Sequence, residues 1–166
     1  MLSVPPRPAL VGIIANPASG RDIRRLTSRA SVFPNAEKAS MMVRAIAGLE
    51  AAGVRDVMIM PDSGGICGPL FRALSVTTGS PVTVQPRFID MPVTSSADDT
   101  LRATELMCQA GAGAIIVLGG DGTHRAVAAR CGQVPLLALS TGTNNAFPEM
   151  REATVAGLAA GLLATG

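Results

Sequence analysis

Gly119-Gly120-Asp121-Gly122-Thr123-His124 sets one carboxylate among three glycines, directly behind the apolar run Ala114-Ile115-Ile116-Val117-Leu118. A strand that turns through glycines into a helix presents unpaired backbone N–H groups at the helix start, and such donors suit a phosphate. Asp121 cannot serve the turn as glycine does. Its charge points to metal binding, a sugar hydroxyl or proton transfer, with a helix N-cap as the plain structural use. Asn16-Pro17-Ala18-Ser19-Gly20-Arg21 and Ser140-Thr141-Gly142-Thr143-Asn144-Asn145 also follow apolar runs and carry turn chemistry with polar side chains. Thr123 and Asn16 fit either a cap or a contact to ligand. Arg21, Arg24, Arg25 and Arg29 lie close together, either as a solvated helix face or as guanidinium groups beside a phosphate. The Gly64-Gly65 turn stays open between a plain turn and a ligand contact. His124 reads as a helix-surface residue rather than a ligand or base.

The elements that must position these loops alternate along the chain. Apolar strands are expected at residues 9–15, 56–61, 81–85 (extended toward Ile89), 114–118 and 135–139. Helices are expected at 35–52, where Met42, Val43, Ile46 and Leu49 share a face, then through Leu70, Phe71 and Leu74, and at 98–109, 125–130 and 151–164. Gly53 and Gly132 stand where C-terminal caps belong. Gly157 and Gly161 weaken the last helix by roughly 1 kcal/mol each. Strand, loop and helix repeated five times specify an α/β fold, a mostly parallel sheet covered on both faces in three layers. The loops after strands one, two, four and five then gather at the carboxyl edge, where such sheets bind ligands.

Composition narrows the partners. The 166 residues suffice for one domain with a substantial core. A net charge of +2, four Phe and neither Trp nor Tyr argue against a nucleic-acid surface or base-stacking platforms. Cys67, Cys108 and Cys131 lack CxxC spacing and His124 is the single histidine, so no zinc framework can be written. An odd cysteine count outside a disulfide pattern, no apolar stretch of spanning length and no signal-type leader point to a soluble, cytoplasmic protein. The methionines read as core filler. No GxxxxGK[ST] is present and the single lysine is Lys38, which excludes a P-loop nucleotidase. No GxGxxG follows the first strand, which argues against an ordinary dinucleotide-binding dehydrogenase.

Gly119-Gly120-Asp121-Gly122-Thr123 resembles the GGDGT signature of the superfamily that holds NAD kinases, diacylglycerol and sphingosine kinases, and phosphofructokinases. Asn16 to Arg21 resembles the group's Asn-Pro loop, and Pro135 to Phe147 resembles the segment that follows GGDGT. The combination is most similar to ATP-NAD kinase-like proteins of the AcoX type, associated with acetoin catabolism, and it covers nearly the whole chain. The resemblance implies a Rossmann-like domain of the NAD kinase type over residues 1–166. It implies ATP and Mg²⁺ as cofactors, with NAD or another small hydroxylated compound as acceptor. Gly119, Gly120, Gly122 and Thr123 would hold phosphates, and Asp121 would orient or deprotonate the acceptor hydroxyl or hold Mg²⁺. Asn16, Ser19, Gly20, Arg21, Thr143, Asn144 and Asn145 would contact the nucleotide. Phosphoryl transfer asks mainly for positioning and charge neutralisation, which such loops can supply.

Two departures bear on the acceptor. His124-Arg125-Ala126 stands where lipid kinases continue with a Leu-Asn-Glu type sequence, and Asn145 stands where their Gly-Thr-Gly-Asn-Asp loop is acidic. The β-rich second domain of NAD kinases, with the Asn-Glu pair that grips the dinucleotide, is not found in these residues. A kinase domain, a non-catalytic nucleotide-binding accessory of acetoin catabolism, a lipid-kinase domain and an interaction domain that kept only the fold all remain open. No membrane or nucleic-acid partner is expected, and self-association is left open.

Overall fold

A computed structural model of the chain describes residues 9–20, 33–76, 84–142 and 145–166. Five strands, β1 (Leu10–Ala15), β2 (Asp56–Ile59), β3 (Gln85–Phe88), β4 (Ala114–Gly119) and β5 (Leu136–Ser140), form one all-parallel sheet in the order β3-β2-β1-β4-β5. Five helices alternate with them: α1 (Asn35–Ala51), α2 (Cys67–Val76), α3 (Ala97–Gln109), α4 (Asp121–Ala128) and α5 (Ala153–Thr165). The expected α/β sandwich is the fold observed.

β1 and β4 are buried along their whole length, which is why they read as continuous apolar runs. Their side chains alternate between two cores. Val11, Ile13, Ile116 and Leu118 pack against α1, α2 and α5, whereas Leu10, Ile14, Ile115 and Val117 pack with Met107 of α3 and Val127 of α4. The chain order reverses between β1 and β4, so α1 and α2 cover one face and α3 and α4 the other. Buried Met41, Met42, Met58, Met60 and Met107 are core residues, as expected.

Gly48 of α1 and Gly157 of α5 bring these helices together almost without side chains between them. A Cβ on Gly48 would lie 2.7 Å from the Leu158 backbone nitrogen, and one on Gly157 would lie 2.9 Å from the Ala45 Cα. The glycines that weaken α5 as a helix are the ones that let it seat on α1.

Several boundaries differ from the expectation. α4 begins at Asp121, four residues before the expected start, with Gly120 as its N-cap, so the motif is itself the first helical turn. Asp121 therefore does not cap its own helix. β3 runs over Gln85–Phe88, toward the Ile89 end of the expected stretch, while residues 81–83 lie outside the described residues. The Arg24, Arg25 and Arg29 cluster also lies outside them. No helix among the described residues is long and apolar enough to cross a membrane.

Candidate functional site

At the carboxyl edge the loops after β1, β4 and β5 are tied to one another by side chains. Asn16, behind β1, donates from Nδ2 to Thr123 Oγ1 at 2.9 Å and accepts at Oδ1 from the Ala18 amide at 2.8 Å. That first bond bridges the two loops where the strand order reverses, the position at which open α/β sheets bind ligands. Ser19 Oγ lies 2.7 Å from Thr141 Oγ1, joining the β1 and β5 loops. Asn145 donates to Ser140 Oγ at 2.8 Å, and its Oδ1 accepts from the Asp121 amide at 3.3 Å.

Lys38, the chain's lone lysine, shapes the β1 loop from beneath. It is fully buried at the start of α1, and its Nζ donates to the carbonyls of Asn16 (2.9 Å), Pro17 (3.2 Å) and Ser19 (2.8 Å) and to Asn35 Oδ1 (3.0 Å). An ammonium group has three protons to give, so these acceptors share them and the loop is drawn around one charge. Asn35 in turn donates to the Gly64 carbonyl, tying in the loop after β2.

The glycines of the β4 turn divide by what surrounds them. A Cβ on Gly119 would meet Thr123 at 2.5 Å and one on Gly120 would meet Asn145 Oδ1 at 2.9 Å, so both are required by the packing of the site itself. Gly122 faces open space, which leaves room for a ligand at the first turn of α4. Thr123 is buried, with its hydroxyl engaged by Asn16.

Asp121 reaches sideways. Its Oδ2 accepts from the Ala146 amide at 2.9 Å and its Oδ1 from the Phe147 amide at 3.0 Å. These two amides hold its carboxyl below the usual aspartate range. Among the described residues no group of three or more His, Cys, Asp or Glu is arranged to hold a metal. A single carboxylate still fits Mg²⁺, which keeps several waters and takes its other ligands from phosphates.

His124 is not the surface residue expected from sequence. It is 3% exposed, with Nδ1 2.9 Å from the Gly120 carbonyl and its ring edge-on to Phe147 at a centroid distance of 5.9 Å. The carbonyl only accepts, so Nδ1 carries the proton. Nε2 is buried and has no hydrogen-bond partner among the described residues. An unpaired buried acceptor costs about 1–3 kcal/mol.

Beyond Asn16 lies a cavity of about 450 Å³, walled by Pro17, Asp62, Ser63, Ser95, Ser96 and Asp99. The β3–α3 loop was not among those expected at the edge, yet it forms one side of this cavity. Ser95 holds φ at 60°, and Asp99, 7% exposed, accepts from the Thr94 amide (2.9 Å), the Thr94 hydroxyl (2.7 Å) and the Ser95 amide (2.7 Å). Burial pushes its carboxyl up, but the Thr94 and Ser95 donors outweigh it and the net shift is downward. Asp62 accepts from the Ile66 and Cys67 amides and so starts α2. Burial, with Asp62 alongside, pushes the Cys67 thiol up to about 12, which makes it inert as a nucleophile.

The structure thus brings Asn16, Ser19, Gly20, Gly119, Gly120, Asp121, Gly122, Thr123 and Asn145 to one edge. Arg21, Thr143 and Asn144 lie outside the described residues. Sequence reasoning missed Lys38 and Asp99. Lys38 had one usable signal, its position at the start of an apolar helix face.

Residues 11–166 match the model of the ATP-NAD kinase N-terminal domain. The chain is also 54% identical over 159 residues to "Acetoin catabolism protein X" of Cupriavidus necator, an alignment covering 95% of this chain and 44% of that protein. The chain therefore spans less than half the length of the curated relative it matches. No solved structure matches it.

Proposed function

Because this chain belongs to the ATP-NAD kinase family, matching its N-terminal domain, we propose that it is the nucleotide-binding domain of an ATP-NAD kinase/AcoX-like protein. ATP is the phosphoryl donor, and NAD or another small hydroxylated compound is the acceptor. The observation that carries this reading is the Asn16–Thr123 bridge, which joins the Asn-Pro loop to the glycine turn at the reversal point of the sheet. It sets the open face of Gly122 and the start of α4 beside the β1 loop, where amide donors can take phosphate oxygens.

Asp121 is assigned the holding of Mg²⁺ or the orientation of the acceptor. Each of its oxygens keeps a lone pair beyond the amide it already takes. Bound to the donor phosphates, Mg²⁺ would neutralise their charge.

Isothermal titration of this chain with ATP–Mg²⁺ and, separately, with NAD tests the reading. Heat with ATP–Mg²⁺ is expected, and no heat with either nucleotide removes it. In the longest natural form of the protein, Asp121→Asn should lower phosphoryl transfer by about 10²–10³-fold, the range for loss of one preorganised group that stabilises transition-state charge. Its melting temperature should stay close to the parent's. Unchanged turnover would sink the catalytic assignment.

A second reading draws on the name of the relative, which places that protein in acetoin catabolism. Here the domain binds nucleotide as an accessory and transfers nothing. Nucleotide heat without phosphoryl transfer by the longest form would select it.

A further inference from the structure

The turn after β4 holds one polar atom that neither the fold nor the reading above employs, the Nε2 of His124. We propose that His124 is a ligand-binding residue of this site, its Nε2 accepting a hydrogen bond from a hydroxyl of the bound acceptor once Phe147 turns off the ring. The inference rests on the nucleotide-site reading and names the part of the substrate that meets the α4 turn.

Three features support it. The Nδ1–H bond to the Gly120 carbonyl anchors the ring to the first turn of α4. In the neutral ring that bond leaves Nε2 as a pure acceptor. A neutral acceptor pairs with an O–H or N–H donor, whereas an ionised phosphate offers only acceptor oxygens. The group it takes is therefore a donor and not a phosphate, and the acceptor's hydroxyl is the donor that the phosphoryl-transfer reading brings to this turn.

Burial of Nε2 without a partner among the described residues serves no packing purpose, since an apolar side chain of similar size would fill the space without an unpaired atom. The cover is also easily moved. Phe147 is 67% exposed, and its segment is held to α4 by the two amide bonds to Asp121. A ligand that displaces those amides from Asp121 frees the ring beneath. One segment thus guards both polar groups of the turn.

His124 is the chain's single histidine, so imidazole ¹⁵N signals and the N-carbethoxyimidazole formed by acylation with diethyl pyrocarbonate report on it alone. In the unaltered chain the spectrum should show an Nδ1–H tautomer, and NAD, as a hydroxyl-bearing probe, should shift the Nε2 resonance while Nδ1 keeps its proton. Acylation should be slow in the parent and faster by about tenfold or more in Phe147→Ala, because acylation follows local opening. His124→Leu should weaken NAD binding by about tenfold, the worth of one hydrogen bond.

NAD heat with an unmoved Nε2 signal overturns the inference while the nucleotide reading stands. ATP–Mg²⁺ heat without NAD heat does the same. No heat with either nucleotide ends both. Equal acylation rates in the parent and Phe147→Ala remove the cover. The spectra use the unaltered chain, so these outcomes do not depend on a variant folding.

Discussion

Asp99 and Asp121 both stand in the first turn of a helix at the same edge of the sheet, and each accepts from two backbone amides. They differ in where those amides come from. Asp99 takes Thr94 and Ser95, in the loop that leads into its own helix, and it is buried. Asp121 takes Ala146 and Phe147, more than twenty residues along the chain, and its carboxylate is open to water. The local, buried arrangement sets the shape of a loop. The distant, exposed one can be exchanged for a ligand at small cost, because water already competes for it. A carboxylate that does structural work at rest can therefore still belong to a functional site.

The contrast can be tested by removing each side chain in turn. Asp99→Ala should have the largest effect, about 1.5–3 kcal/mol of stability, because it removes the charged acceptor of two part-buried amide bonds. Urea denaturation measures it; a loss below the uncertainty of the extrapolation would mean that the loop reorganises around water. Thr123→Val comes next. It keeps the shape and removes the hydroxyl from Asn16 Nδ2, costing about 1 kcal/mol, and it should loosen nucleotide binding through the β1 loop.

Acid should separate the two aspartates further. Both have folded-state pKa values below the ordinary one of about 3.9, so their stabilisation is complete above that value and is lost as pH falls through the depressed folded value. Asp99→Asn should flatten the low-pH decline of the melting temperature more than Asp121→Asn, whose amide bonds are exposed. Equal flattening by both would erase the distinction. The smallest effect belongs to Asp121→Ala on folding itself, read as a melting temperature nearly equal to the parent's.

Sequence periodicity was enough for the strands and most helices. β1 and β4 are apolar throughout because both faces of the sheet are covered, and Met42, Ile46 and Leu49 mark the inner face of α1. The start of α4 was not legible, since Gly-Asp-Gly has weak helix propensity and the turn forms by seating Thr123 over Gly119 and Asn145 over Gly120. That shift also explains His124. A helix that begins earlier carries it onto the inner face, where Phe147 covers it. Lys38 was passed over because a lysine is ordinarily solvated, and only the convergence of distant carbonyls gives this one a buried place. Asp99 lies at the start of an expected helix, and its grip on Thr94 and Ser95 follows from a backbone turn at Ser95 that no spacing rule announces.

The near-bare meeting of α1 and α5 has a mechanical consequence. α1 begins with the lysine that gathers the Asn-Pro loop, and α5 follows directly on the segment that Asp121 holds. With Gly48 and Gly157 at the crossing, little compressible side-chain material separates the two backbones. The helices work as one spar, and both loops are mounted on it. A methyl group inserted at Gly157, well away from any ligand, would wedge the spar open and move the two sides of the nucleotide edge apart together.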